Sequence, residues 1–214
     1  MTADAAKRED YDSLRDQYAD PRSLMFKKLR LVDSCIRGGR TLLDFGVGTG
    51  ALIDLERQKF SNIFGVDSDK RSISICKDRF EKDKNIRVCQ NNGSDLVSAF
   101  GDTRFDCLTA CDVLEHVQLD ESKRLLRVFY SLLDVGGKFI FTGPGLFEKA
   151  RITMGQSPTH LYSHSSYGWA EPIRNVGLQV VSIESVEFPL IHSSVLRKRL
   201  HILGKCCAIT ARKT

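Results

Sequence analysis

Short apolar runs alternate with amphipathic stretches along most of the chain, the rhythm of βαβ units around a parallel sheet. Thr41–Phe45 is an apolar run that leads straight into glycines, and Ala51–Phe60 has the pattern of the helix that follows. Asn62–Asp67 reads as a second strand ending on an acid. In Asp69–Glu81, Ile73, Cys76 and Phe80 recur at three- and four-residue spacing, the stripe of a helix lying on a sheet. Ile86–Cys89 and Phe105–Cys111 predict strands three and four. Ser122–Leu133 shows a helical face of Leu125, Leu126, Phe129, Leu132 and Leu133, and Gly136-Gly137 is expected to stop that helix and open a fifth strand over Lys138–Thr142.

The last third differs in texture. Residues 143–162 hold Gly143, Pro144, Gly145, Gly155 and Pro158 and read as a long loop of the kind that usually carries function. Ser163–Asn175 predicts a weak helix interrupted by Pro172, Leu178–Phe188 a long strand, Ser194–Leu203 a helix and Cys206–Ala211 a closing strand. Residues 11–36 predict one or two helices packed over the edge or mouth of the sheet.

A length of 214 residues suits one domain with a short appendage, and 42% hydrophobic with 28% charged residues excludes collagenous, low-complexity and wholly disordered chains. The formal charge of +5 invites a polyanionic partner until its location is considered. Arg197, Lys198, Arg199, Lys205, Arg212 and Lys213 follow Glu187 with no acid among them, so the body is close to neutral and the tail is basic. The seven cysteines contain no C-x-x-C pair, and MTADAAKREDYDS has no apolar core, so a cytoplasmic protein with free thiols and no membrane span is expected.

The strongest local signal is Asp44-Phe45-Gly46-Val47-Gly48-Thr49-Gly50. Glycines after a strand let the backbone turn and approach a ligand closely, and the next helix offers its free N–H groups there. Asp67, ending the second strand, places a carboxylate beside the same crevice, where it can accept ribose hydroxyls, with Ser68 next to it. The glycines follow G-x-G-x-G behind an acid, not the dinucleotide G-x-G-x-x-G, which disfavours a nicotinamide-dependent oxidoreductase. A carboxylate just before them suits a ligand bearing an ammonium group.

Together with the block Asp112-Val113-Leu114-Glu115-His116-Val117 and Leu132-Leu133-x-x-Gly136-Gly137, these motifs resemble the class I S-adenosylmethionine-dependent methyltransferases. The match covers residues 42–144 and is closest to a subgroup acting on small molecules such as quinone precursors. The resemblance implies a Rossmann-like α/β fold. Its sheet is seven-stranded and mostly parallel, its last strand is antiparallel and slots between the fifth and sixth, and helices cover both faces. Residues 1–39 would form a helical cap on a methyltransferase domain over 40–214. It also implies that Asp44 lies near the methionine moiety, that Gly46, Gly48 and Gly50 pass beneath the cofactor, and that Asp67 binds its ribose. Ser94 or Asp95 would meet the adenine amine, Cys111 and Asp112 would border the sulfonium, and Leu114 would pack on the adenine side.

For the methyl acceptor, no Asn/Asp-Pro-Pro-Tyr/Phe follows strand four and no Pro-Cys pair occurs, which argues against nucleic-acid methylation, although the basic end keeps that alternative in view. A small molecule methylated on oxygen or nitrogen is expected, carbon less so, with S-adenosylhomocysteine as the other product. A second class is an inactive relative that keeps the pocket as a binding module. His116 and His160 are the candidate proton acceptors, followed by Tyr162 and His164 in the same loop, and Tyr11, Tyr18 and Arg22 are the cap residues able to reach a ligand. No metal site is expected, because Glu115 and His116 would point apart on a helix and the remaining histidines are scattered.

Overall fold

The computed structural model describes residues 16–145, 160–161, 166–186 and 206–214. Tyr11, Tyr162, His164, His192, His201, the expected helix Ser194–Leu203 and most of the basic tail lie outside them. The described residues form a sheet of seven strands: β1 (Gly39–Phe45), β2 (Phe60–Asp67), β3 (Ile86–Gln90), β4 (Phe105–Cys111), β5 (Leu133–Pro144), β6 (Leu178–Val186) and β7 (Cys206–Lys213). Their order is β3-β2-β1-β4-β5-β7-β6. β1 pairs in parallel with β2 and β4, whereas β7 runs antiparallel to both β5 and β6. The sheet is therefore the Rossmann-like one expected, with the last strand inserted between the fifth and sixth.

Alternation along the central strands sends side chains to both faces, which is why these strands read as unbroken apolar runs. Leu43 and Phe45 of β1, Leu108 and Ala110 of β4 and Phe139 and Phe141 of β5 pack on one face. Leu42, Cys107 and Ile140 pack on the other. The first face is covered by α5 (Leu119–Leu132) and α6 (Ser166–Asn175). In α5 the stripe of Leu125, Leu126, Phe129 and Leu132 is wholly buried, and Phe129 meets Phe45 edge-on at 5.0 Å between ring centroids. The second face is covered by α1 (Leu24–Cys35), α2 (Ala51–Glu56) and α3 (Lys70–Arg79); a short α4 (Leu96–Phe100), which periodicity does not announce, follows β3.

The structure departs from the expected elements in three places. The helix expected over Ala51–Phe60 stops at Glu56, because Phe60 is buried at the head of β2 in register with Gly39. Gly136 and Gly137 lie within β5, which starts directly after α5; the register jumps between Phe105 and Cys107, so residues 134–137 bulge out and leave Val135 exposed. Pro172 does not interrupt α6, whose buried Trp169, Ala170 and Ile173 outweigh the missing backbone donor. The Trp169 indole also donates to the Pro144 carbonyl at 3.0 Å, tying α6 to the end of β5.

Helix α1 crosses α2 and the strands β5–β7. Ser23 caps it, its side chain accepting from the Phe26 N–H at 3.0 Å. Asp33 pairs with Lys59, which also reaches the buried Glu56 at 3.1 Å. Within the first core the wholly buried Phe129 of α5 meets both Phe45 and Phe139. Replacing Phe129 by Ala is expected to lower the unfolding free energy by about 3–5 kcal/mol in urea titration. A loss below about 1 kcal/mol would contradict this account of the core.

Candidate functional site

β1 and β4 are neighbours whose following helices leave on opposite faces of the sheet, so a crevice opens at their carboxyl ends. The loop after β1 enters it with Gly46, Gly48 and Gly50 all at positive φ (82°, 52° and 81°). Gly46 and Val47 both donate to the Val66 carbonyl, at 2.8 and 3.0 Å, which folds the loop back over β2. A Cβ at Gly46 would lie 2.2 Å from Val113 Cγ2, so only glycine admits the turn after β4 this closely. One carboxylate oxygen of Asp67 accepts the Gly48 N–H at 2.9 Å and the other accepts the Asp69 N–H at the same distance.

A cavity at this point is lined by Asp44, Gly46, Gly48, Cys111, Asp112 and, from α1, Lys28. Asp44 is 3% exposed and accepts a hydrogen bond from Thr109 Oγ1 at 2.7 Å. Burial, with the Asp67 charge adding to it against the Thr109 hydrogen bond, pushes its carboxyl up to about 6. Asp112, the residue after β4, adopts the left-handed region (φ 54°) and lines the crevice. There it accepts from Thr142 Oγ1 at 3.1 Å and forms an ion pair with the largely buried Lys28. Burial disfavours the Lys28 ammonium, but Asp112 outweighs it and holds the amine charged. Tyr18 faces the same cavity, and burial followed by the Asp112 charge pushes its phenol up to about 12.

Beyond Asp112 the chain makes a single 3-10 turn, Leu114–His116. The Leu161 N–H donates to the Glu115 carbonyl at 2.8 Å and so lies against this turn. The His116 and His160 rings then lie 4.9 Å apart. One potential ligand atom from each of Glu115, His116 and His160 falls within 4.8 Å of the others. The expectation that Glu115 and His116 diverge is thus corrected: the turn is not an α-helix, and His160, next to the docked Leu161, joins them.

A methyltransferase-domain family model matches residues 43–141, the span holding Asp44, the glycine loop, Asp67 and Asp112. Over that span the chain is similar to the class I S-adenosylmethionine-dependent methyltransferases. The cofactor of these methyltransferases is S-adenosylmethionine. Among curated relatives, a ubiquinone/menaquinone biosynthesis C-methyltransferase of Vibrio cholerae is 27% identical over 140 residues, covering 61% of this chain and 51% of its own. The chain thus spans about half the length of that relative. A ubiquinone biosynthesis O-methyltransferase of Azoarcus sp. is 23% identical, covering 87% of this chain and 88% of its own. In fold, the chain is similar to an S-adenosylmethionine-dependent methyltransferase of Archaeoglobus fulgidus, with a TM-score of 0.70 at 19% identity over 95% of this chain and 99% of that one.

Of the residues singled out from sequence, Asp44, Gly46, Gly48, Cys111 and Asp112 line the cavity. Gly50 caps α2 and Asp67 joins the site through Gly48. Ser68, Ser94 and Asp95 are exposed beyond the cavity, with Asp95 accepting from Asn91 Nδ2 at 2.8 Å and the Asn91 N–H tied to the Asp67 carbonyl. Leu114 is buried in the core under the crevice. Sequence reasoning missed Lys28 and Thr109. Thr109 sits one strand away in register with Asp44, and Lys28 is a charge among the many of an amphipathic helix. Arg22 is exposed and pairs with Asp20. Among the described residues, no helix is long and apolar enough to cross a membrane, and all seven cysteines are free, with Cys206 and Cys207 buried on β7.

The Asp44 carboxyl holds its proton more tightly in the fold than its ordinary value of 3.8 allows. Its contribution to stability is therefore fully present below about pH 4 and is lost as pH rises through about 6. Replacing Asp44 by Asn removes that loss. The unfolding free energy of D44N relative to the native protein should rise by on the order of 2–3 kcal/mol between about pH 4 and pH 7. A difference that stays flat with pH in chemical denaturation would contradict the burial of this carboxylate.

Proposed function

We propose that this protein transfers a methyl group from S-adenosylmethionine to a small-molecule acceptor, on oxygen or nitrogen in preference to carbon. The observation that carries the reading is the conjunction at one crevice of a buried carboxylate, a glycine loop with no room for a Cβ at Gly46, and the Asp67 carboxylate locking that loop. These residues fit the cofactor. Asp44 would face its ammonium, the backbone of Gly46 and Gly48 would pass beneath it, and Asp67 would take the ribose hydroxyls with oxygen lone pairs not used by Gly48 and Asp69. Ser68 lies beside that position, and Ser94 and Asp95, on the segment tied to the end of β2, would lie at the adenine end. Gly50 starts α2 beneath the loop, and Leu114 supports the crevice floor. Cys111 and Asp112 would border the reacting centre.

The cofactor supplies an electrophilic methyl on a sulfonium. The protein then has to hold the acceptor in line with it and remove a proton where the acceptor carries one. His116 and His160, brought together past the end of β4, are the groups placed for that second task. Residues 1–39 act as a cap in this reading, α1 closing the crevice through Lys28 and Tyr18. Relatives named for both carbon and oxygen methylation leave the acceptor atom to the site itself, and the paired imidazoles support an acceptor that must lose a proton.

Calorimetry with S-adenosylmethionine and S-adenosylhomocysteine tests the cofactor half of this reading. One site per chain is expected, weakened about 10- to 100-fold in D44N, the cost of a charged hydrogen bond, even though that variant is the more stable at neutral pH. A folded sample that binds neither ligand would overturn it.

A further inference from the structure

The edge of the sheet opposite the cofactor crevice carries a second cavity, of about 390 Å³, at the amino ends of β1 and β4 and beside the bulge in β5. That volume is within the range of pockets that hold small ligands. Arg37, Arg40 and Lys138 line it, and Asp106 is the one acid among its lining residues. Gly38, Gly39 and Gly136 complete the wall with bare backbone.

The charges here do not balance. Asp106 is already engaged: one oxygen accepts the Arg40 and Thr41 N–H groups at 2.6 and 3.0 Å, and the other pairs with the Arg40 guanidinium at 3.4 Å. Arg40 also pairs with Asp134 at 3.1 Å. Among the described residues, Arg37 and Lys138 have no ion-pair partner; the Lys138 ammonium donates to the Cys35 carbonyl at 3.4 Å. A fourth cation stands directly opposite Lys138. Lys138 and Arg212 are register partners on the antiparallel strands β5 and β7, so their side chains leave the same face of the sheet. The Arg212 guanidinium donates to the carbonyl of Gly136, in the cavity wall, at 3.2 Å and has no acidic partner among the described residues. Like charges directly opposite one another destabilise a sheet, and an anion between them relieves the repulsion.

We propose that this cavity binds one small anion bearing a phosphate group, held by Arg37, Lys138 and Arg212 with Arg40 at the rim. A phosphate monoester carries about 1.5 to 2 negative charges at neutral pH and three acceptor oxygens, enough to meet three cations at once. A carboxylate offers one charge and two oxygens. Guanidinium groups also match phosphate in a forked, two-point geometry. No aromatic or branched apolar side chain lines the cavity, so it has no seat for a hydrophobic body. The site is separate from the cofactor crevice: β1 runs between them, with Arg40 near its amino end and Asp44 near its carboxyl end. What binds here is thus independent of the methyl transfer assigned to the crevice. A bound phosphate ties the turn before β1 to the seam between β5 and β7 and stabilises that edge of the sheet.

The test is calorimetry on the full chain at constant ionic strength in chloride, with inorganic phosphate and methyl phosphate as probes. One site per chain is expected. Tighter binding of inorganic phosphate assigns the cavity to the free ion, and tighter binding of the ester assigns it to an esterified ligand; either supports the site. Arg37→Ala and Arg212→Ala, both at exposed positions where folding is least at risk, should each weaken binding at least about 10-fold, the loss of one charged hydrogen bond. Lys138→Met, which keeps most of the side-chain volume, should do the same. Lys123→Ala, which removes an exposed cation from α5, should leave binding unchanged. In urea titration, phosphate should raise the midpoint of the native chain and of Lys123→Ala by the same amount, and that of Arg37→Ala by less. Failure of both probes to bind, binding that survives Arg37→Ala or Arg212→Ala, or equal weakening by Lys123→Ala would overturn the site. So would competition between either probe and S-adenosylhomocysteine, which would put the anion in the cofactor crevice.

Discussion

Everything at the crevice depends on how closely the turn after β4 approaches the loop after β1. Val113 fills the space where a side chain at position 46 would stand, so the two strand ends touch before their helices diverge to opposite faces. That contact makes the floor of the site a pair of backbones. Hydrogen-bonding groups of the loop are held within reach of a ligand by the Val66 carbonyl on one side and the Asp67 carboxylate on the other. Without this close approach, Asp44 and Asp112 would belong to separate loops. With it they line one cavity.

The cavity is also a problem of charge. Asp44 and Asp112 line the cavity, Asp67 and Glu115 stand at the ends of the same strands and their turns, and among the described residues Lys28 from α1 is the cation lining the cavity. An apolar wall with an acidic lining disfavours anions and favours a ligand with positive charge, which fits a sulfonium carrying an ammonium group. The same electrostatics explains why Lys28 stays protonated although burial opposes it. The protein holds Asp44 in a place where its charge costs stability, an arrangement common at functional sites.

The fold was legible because the central strands are buried on both faces and so show as apolar runs bounded by glycine and acid. β4 was bounded correctly from Phe105 to Cys111 for this reason. Boundaries failed where tertiary contacts overrule local signals: Phe60 was claimed by β2, Gly136 and Gly137 by a bulge in β5, and Pro172 by a helix anchored through Trp169. At the site, Asp44, the glycines and Asp67 could be read because each lies at a strand end within a single βαβ unit. The cluster of Glu115, His116 and His160 could not, since His160 is distant from the other two in sequence and the 3-10 turn has no periodicity to betray it. Thr109 and Lys28 were hidden for the same cause, being partners only across strands and helices.

The position of β7 has a consequence for how the chain is made. Its residues 206–213 fill the gap between β5 and β6, pairing with both along nearly their whole length. Until they have been synthesised, β5 offers an open edge with Phe139, Ile140 and Phe141 behind it, and β6 has no neighbour in the sheet. Pairing across such sequence distances is slow, and open strand edges are where chains associate wrongly. The small and β-branched run Cys206 to Ala211 is thus a late-arriving wedge, and translation has to reach it before the sheet can close.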